Sequence, residues 1–299
     1  MRTAAAAFLA LLVVLLGACG AESVGGPCSL DDPDCGSGVC NLSTADGKGV
    51  CIDAGGDVDG DGLPNDKDFC NQGPGGAYDE DGDQVGDDCD RCPIARPLAN
   101  PDTDTDMVDA PCDPDAAING DQLVLFEGFN GAIPATWKQT GTWEVRGGEV
   151  IGSHVDMTLT ASLVGPLPLS TTKLAVLGSY RIDMTTPSAY VGVTAIDNRP
   201  AGVSAVTCGG QRAAGQDSLL LDTDTGAATK VFTNLFDTAS RYRVAQKLEN
   251  VSSACSMIAD NEQGAVSQNT GGNAPSQAGV FTKGATARFQ YVLVVQRGP

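Results

Sequence analysis

Histidine occurs once in 299 residues, tryptophan twice, and aromatic residues make up only 5% of the chain. With His154 alone, a His-based triad would have to use that one residue, and neither a G-x-S-x-G motif nor a zinc-ligand spacing accompanies it. Positive charge is scarce as well: 18 Lys and Arg stand against 38 Asp and Glu, a net of −20. The basic residues form no cluster, which excludes a nucleic-acid interface. Sustained helical spacing is missing from the C-terminal body and from the flanks of the acidic loops. The apolar run from Ala4 to Leu16 is too short to span a bilayer comfortably and reads as a cleaved export signal.

What the chain does have is acid, concentrated in one place. Residues 53–115 hold 19 acidic and 3 basic residues, whereas residues 116–299 hold 14 and 13. The acidic segment is poor in large apolar side chains, so disulfides or metal must replace a hydrophobic core there. It also repeats. Counting Asp57 as position 1, Asp59 and Asp61 fall at 3 and 5, Gly62 at 6, Leu63 at 7, Asn65 at 9 and Asp68 at 12, with Cys70 at 14. A second copy runs Asp79, Asp81, Asp83, Val85, Asp87, Asp90 and Cys92, with Cys89 at 11; a third runs Asp102, Asp104, Asp106, Val108, Asp113, with Cys112 at 11.

Carboxylates at 1, 3, 5 and 12, with a backbone carbonyl at 7, are the oxygen donors that a tight loop brings around calcium. The expected ligands are therefore Asp57, Asp59, Asp61, Leu63 and Asp68; Asp79, Asp81, Asp83, Val85 and Asp90; and Asp102, Asp104, Asp106, Val108 and Asp113. Only the first copy has glycine at the sharp turn; Gln84 and Met107 replace it in the others. A disordered acidic linker would explain the composition but neither the register nor the in-register cysteines. DEDGDQVGDDCDRCP and its companions resemble thrombospondin type 3 repeats over about residues 53–115. That resemblance implies calcium as the cofactor and disulfides Cys70–Cys89 and Cys92–Cys112.

Leu16-Gly17-Ala18-Cys19 resembles the lipobox of bacterial lipoproteins, which implies a signal peptide over 1–18, lipidation at Cys19 and a tether over 19–27. A membrane partner through that lipid, and an exported location at the outer membrane or cell surface, would follow. Export permits disulfides, and the ten other cysteines fall into even groups. Cys28, Cys35, Cys40 and Cys51 define a small module over 28–52, with three pairings possible. Cys208 and Cys255 form the last pair.

From residue 116 the chain turns to short Val-, Thr- and Ala-rich runs such as KLAVLGSYRIDM, YVGVTAID and RFQYVLVV, separated by turn residues. Many short strands over this length predict a mainly β fold with two packed antiparallel sheets, a sandwich or jelly roll. FEGFNGAIPATWKQTGTWEVRGGEVIG and GVFTKGATARFQYVLVV are similar to the opening and closing strands of concanavalin A-like, laminin-G-like domains. None of Glu127, Glu144, Glu149, Glu249 and Glu262 has partners at the E-x-D-x-x-E spacing of glycosidases on that fold. Trp137 and Trp143 read as core, and Asp222 to Gly226 as a hairpin turn. The expectation is a non-enzymatic calcium-binding lipoprotein whose acidic stalk presents a lectin-like sandwich to a glycan or surface protein. A diverged polysaccharide hydrolase and a purely structural envelope protein are the alternatives.

Overall fold

The computed structural model describes residues 24–42, 48–96, 102–154, 159–199, 202–260 and 262–297. The expected signal peptide and Cys19 lie outside them. Among the described residues no helix is long and apolar enough to cross a membrane.

The first unit is a three-stranded antiparallel sheet of β1 (Pro27–Ser29), β3 (Lys48–Asp53) and β2 (Gly38–Asn41), in that order. Among the described residues its buried apolar cluster consists of cysteines, Cys28, Cys35 and Cys51 with Cys40 against them. Of the three possible pairings the structure has Cys28–Cys40 and Cys35–Cys51. So little apolar surface cannot offset chain entropy, and the cross-links supply the difference.

Residues 54–121 contain one turn of 3-10 helix, Asn65–Lys67, and among the described residues no strand. Disulfides Cys70–Cys89 and Cys92–Cys112 tie successive loops together. This segment does not stand off as a stalk. Cys92, Val108 and Cys112 pack against Ala175, Tyr291, Leu293 and Val295 of the large sheet, so the few apolar side chains of the acidic segment are spent on docking. Polar contacts seal the seam: Lys247 donates to the Pro114 carbonyl (3.2 Å) and Arg297 to Asp115 (2.6 Å).

The remaining strands are β4 (Gln122–Glu127), β5 (Lys138–Thr140), β6 (Thr142–Val145), β7 (Val150–His154), β8 (Ala161–Pro166), β9 (Lys173–Arg199), β10 (Gly202–Ala213), β11 (Gln216–Thr223), β12 (Gly226–Phe232), β13 (Arg241–Glu249), β14 (Ser252–Ala259), β15 (Glu262–Asn269) and β16 (Gln277–Gln296). They form one hydrogen-bonded, 13-stranded antiparallel sheet rather than the two separate sheets of the expected jelly roll. The correction comes from two strands. KLAVLGSYRIDM and YVGVTAID, read as separate strands, are the two halves of β9. It pairs along its length with β16, which carries β8, β7 and β4 in turn on its other edge. From the far edge of β9, β10, β11 and β12 leave one half, and β13, β14 and β15 leave the other.

Bulges in place of turns keep β9 and β16 continuous through their bends. The β9–β16 register shifts between Lys283 and Ala285, between Thr286 and Ala287 and between Phe289 and Tyr291. At the first shift Gly284 has φ +64°, and a Cβ there would lie 2.0 Å from the Ser188 carbonyl oxygen. The Thr186 hydroxyl also donates to the Gly284 carbonyl (2.9 Å). Bulges accept such residues because the extra residue bends the strand. Gly284→Val should cost at least about 2 kcal/mol in denaturant unfolding, since the side chain meets both a left-handed backbone and a carbonyl. Gly73→Ala, where nothing lies within 4 Å of the new Cβ, serves as the neutral control.

Bent in this way, the sheet folds over one core that includes Tyr180, Tyr242, Phe289, Leu219, Val193 and Val280. Tyr180 packs on Tyr242 at 5.4 Å and on Phe289 at 5.7 Å between ring centroids. Trp143 is buried in this core, and Trp137 packs edge-on against Phe129. Cys208 on β10 is bonded to Cys255 on β14, which joins the two wings across 47 residues. Replacing both by Ser should lower stability by about 2–4 kcal/mol in denaturant unfolding, given the length of the loop it closes.

Candidate functional site

Each acidic repeat folds into the same loop. The position-1 carboxylates accept from the N–H of positions 4 and 6. Asp57 takes Gly60 (2.7 Å) and Gly62 (3.2 Å), Asp79 takes Gly82 (2.8 Å) and Gln84 (2.9 Å), and Asp102 takes Thr105 (2.7 Å) and Met107 (2.9 Å). The position-5 carboxylates of Asp61, Asp83 and Asp106 accept from the N–H of Leu63, Val85 and Val108 (2.7–3.0 Å). Position 6 is left-handed in all three loops: Gly62 at φ +100°, Gln84 at +73° and Met107 at +74°. Glycine is therefore not required for the turn, but Gln84 and Met107 hold it at a strain of order 1 kcal/mol.

Position 9 has a different duty from its neighbours. The side-chain oxygens of Asn65 and Asp87 accept from the N–H of Val58 and Glu80, the position-2 residues of their own loops, and so close each loop at its start.

Hydrogen bonding to one side of each carboxylate leaves the other oxygens facing one another. Ligand-type oxygens of Asp57, Asp59 and Asp61, of Asp79, Asp81 and Asp83, and of Asp102, Asp104 and Asp106 lie within 4.8 Å of one another in each set. These three clusters can coordinate a divalent cation. The position-12 residues Asp68, Asp90 and Asp113 share one geometry: Oδ1 accepts from the N–H two residues on (2.7–2.9 Å), and Oδ2 is buried without a partner. Oδ2 of Asp59, Asp81 and Asp83, and both oxygens of Asp104, are orphaned in the same way. A buried carboxylate oxygen with no donor is costly unless a cation meets it.

The electrostatics agree. Burial, aided by Asp83 and Asp81, pushes Asp90 up to about 8. Burial and then Asp83 and Asp79 push Asp81 up to about 7, and burial takes Asp83 to about 6 and Asp87 to about 7. Burial also raises Asp68, Asp104 and Asp113, with neighbouring carboxylates adding to it. Asp61 goes the other way, lowered by the N–H groups of Leu63 and Gly75. Such crowding of like charge in a shielded place is what a divalent ion relieves.

Two carboxylates of this region escape a search by spacing. Asp121, outside the repeat register, is buried beside Asp113 with Oδ2 unpartnered, and its N–H donates to Asp106 Oδ2 (2.7 Å). Asp109 is buried as well. The candidates outside the acidic segment do not join the clusters. Asp224 accepts from the Gly271 N–H (2.9 Å) at the turn between β11 and β12, and His154 ends β7.

Where the second loop meets the sheet there is a cleft of about 630 Å³. Glu80, Asp81, Ile94 and Pro111 line it from the acidic segment, and Arg241, Arg243, Asp260, Gln290 and Tyr291 from the sheet. Glu80 accepts from Gln290 Nε2 (2.6 Å) and Asn130 Nδ2 (3.1 Å). Gln290 Oε1 accepts in turn from Arg241 (2.6 Å), and Arg241 donates to Glu149 Oε1 (3.1 Å). Glu149 also takes Arg181 at 2.7 Å, with Arg288 at 4.0 Å. Burial raises Glu80 despite these amide donors. On the sheet side, the Asp260 carboxylate accepts from the Ser240 hydroxyl (2.6 Å). No spacing rule finds this constellation, because its members come from seven places in the chain.

No family model and no curated protein matches the chain. Among solved structures it is similar to a xylan β-1,4-xylosidase from Bacillus halodurans C-125, at 8% identity and a TM-score of 0.42 over 56% of this chain and 38% of that one. A Bacteroides ovatus xyloglucan PUL protein, GH43B, matches at 9% identity and 0.43 over 58% and 39%. An endo-β-galactosidase from Clostridium perfringens that releases GlcNAcα1-4Gal matches at 10% and 0.43 over 60% and 64%. This chain thus spans less than two thirds of each of these proteins, and the likeness assigns it no activity. The expected pairing of thrombospondin type 3 repeats with a concanavalin A-like lipoprotein body is not retained, since the body is one hydrogen-bonded sheet and the acidic segment packs against it. The non-enzymatic, lectin-like reading goes with it. It rested on the repeat register, the lipobox and the missing E-x-D-x-x-E spacing, and that spacing detects only carboxylates that share one strand.

Proposed function

We propose that the chain is a calcium-dependent hydrolase of glycosidic bonds, with Glu80 as proton donor and Asp260 as its carboxylate partner. One observation carries this reading: a single cleft receives a carboxylate from each side, Glu80 from the acidic segment and Asp260 from the end of β14. Glycoside hydrolysis needs that division of labour, one acid for the leaving oxygen and one carboxylate for the attacking side. Glu149 is engaged by Arg181 and Arg241 and is a positioning residue, since it sets Arg241, and through Gln290 the carboxylate of Glu80.

Asp57, Asp59, Asp61 and Asp68 would hold one calcium, Asp79, Asp81, Asp83 and Asp90 a second, and Asp102, Asp104, Asp106 and Asp113 a third. The carbonyls of Leu63, Val85 and Val108 are further oxygen donors. Four carboxylates and a carbonyl suit calcium, whereas magnesium keeps most of its waters and uses one or two carboxylates. Bound calcium would neutralise the crowded aspartates and stiffen the loop that carries Glu80.

The test is release of reducing ends from soluble xylan, β-glucan and galactan by the full chain, with calcium or with a chelator. Release is expected only with calcium and only with Glu80 intact. No release from any substrate in either condition would remove the hydrolase reading.

A further inference from the structure

We infer that the cleft takes a sugar bearing a carboxylate, a uronic acid residue, and that Arg243 is the group that binds it. The inference rests on the hydrolase reading of the same cleft and names its substrate class.

Arg243 is distinguished by what it lacks. Every other arginine whose side chain is described has a partner. Arg91 faces Asp102, Arg146 faces Glu144 and Arg212 faces Asp217. Arg181, Arg241 and Arg288 gather on Glu149, Arg297 meets Asp115 and Glu249, and Arg96 donates to the Gly82 carbonyl. Arg243 lines the cleft and has neither an ion pair nor a hydrogen bond among the described residues. In a chain of net charge −20, an exposed guanidinium left without a carboxylate is out of keeping with its surroundings.

Its place in the sheet tells what it faces. Tyr291 of β16 pairs with Ser179 of β9, Ser179 pairs with Arg243 of β13, and Arg243 pairs with Ile258 of β14. Directly paired residues share a face, so these four side chains form one row across the cleft. Ser179 is buried with its hydroxyl held by Gln290 and Arg241, and Tyr291 is nearly buried, so what the row exposes is the cation of Arg243 beside the apolar side chain of Ile258. Sugars present apolar CH faces and hydroxyls to such a surface, and a carboxylate on the ring would meet the fork of Arg243 bidentately. The acidic groups nearby do not compete for that fork. Glu80 is held by Gln290 and Asn130, and Asp260 accepts from Ser240. Asp81 belongs to the second acid cluster.

The experiment measures binding by calorimetry with the calcium-loaded full chain. The probes are trigalacturonate and a glucuronoxylan oligosaccharide, each as free acid and as neutral methyl ester. One acid should bind about tenfold more tightly than its ester, a preference that shrinks at high salt and vanishes in Arg243→Gln, which lowers affinity for the acid far more than for the ester. Arg243→Lys should keep part of it, since the charge remains but the fork is lost. Equal affinities of acid and ester in the wild-type chain, binding of neither, or a preference that survives Arg243→Gln would overturn the inference. A binding preference without cleavage of either oligosaccharide would sustain it and overturn the hydrolase reading alone.

Discussion

In about 1 mM calcium, residues 53–121 should resist limited proteolysis, and with a chelator they should become the first part of the chain to be cut. The size of the effect follows from how the segment is held. Among the described residues it has no strand and only one 3-10 turn, and its interior is lined with aspartates whose Oδ2 atoms have no donor. Remove the ion and the four carboxylates of each loop repel at close range with nothing to offset them. Two disulfides would then limit the expansion without restoring the loops. Replacing Asp79, Asp81 and Asp83 together by Asn should abolish one equivalent of calcium uptake in calorimetry. The same change at Asp222 and Asp224 should leave uptake intact, because Asp224 is tied to the Gly271 N–H in a turn. Identical digestion patterns with and without calcium would refute the assignment of the clusters as cation sites.

Glu80→Gln should lower kcat on a cleaved polysaccharide by about 10²–10⁴-fold, the usual worth of a positioned acid, with little change in KM. Glutamine keeps both neighbours, since its oxygen still accepts from Gln290, whose own Oε1 stays on Arg241, and Asn130 can turn its amide to accept from the new NH2, so the fold survives and the loss is chemical. Asp260→Asn should fall in the same range. Glu149→Gln should act less strongly and through both constants. It loosens Arg241 without removing a group that lines the cleft. Chelation should reproduce the Glu80→Gln loss because Glu80 sits inside the second loop, between Asp79 and Asp81. Rates unchanged in Glu80→Gln, or a chelator without effect on a cleaved substrate, would separate the carboxylate or the ion from the reaction.

Local chemistry carries far in this chain. The alternation of Asp57, Asp59 and Asp61, repeated from Asp79 and from Asp102, by itself brings three carboxylates together in each loop, because the donors and acceptors of each turn lie within six residues. The Val- and Thr-rich runs by themselves demand strands. Neither pattern states how the parts meet. That β9 and β16 run on as single bent strands depends on Gly284 lying against the Ser188 carbonyl, 96 residues away in sequence. Glu80 reaches Gln290 across 210 residues and Asn130 across 50, contacts that no spacing encodes. The row Tyr291, Ser179, Arg243 and Ile258 exists only through strand register. The amino-acid sequence alone determined the acid clusters and the β character, since both are written in contacts within one loop or one strand. Only the tertiary structure decided the continuous sheet, the docked acidic segment and the cleft. These are made by side chains that the backbone's long-range pairing, not their neighbours in the chain, brings within bonding distance.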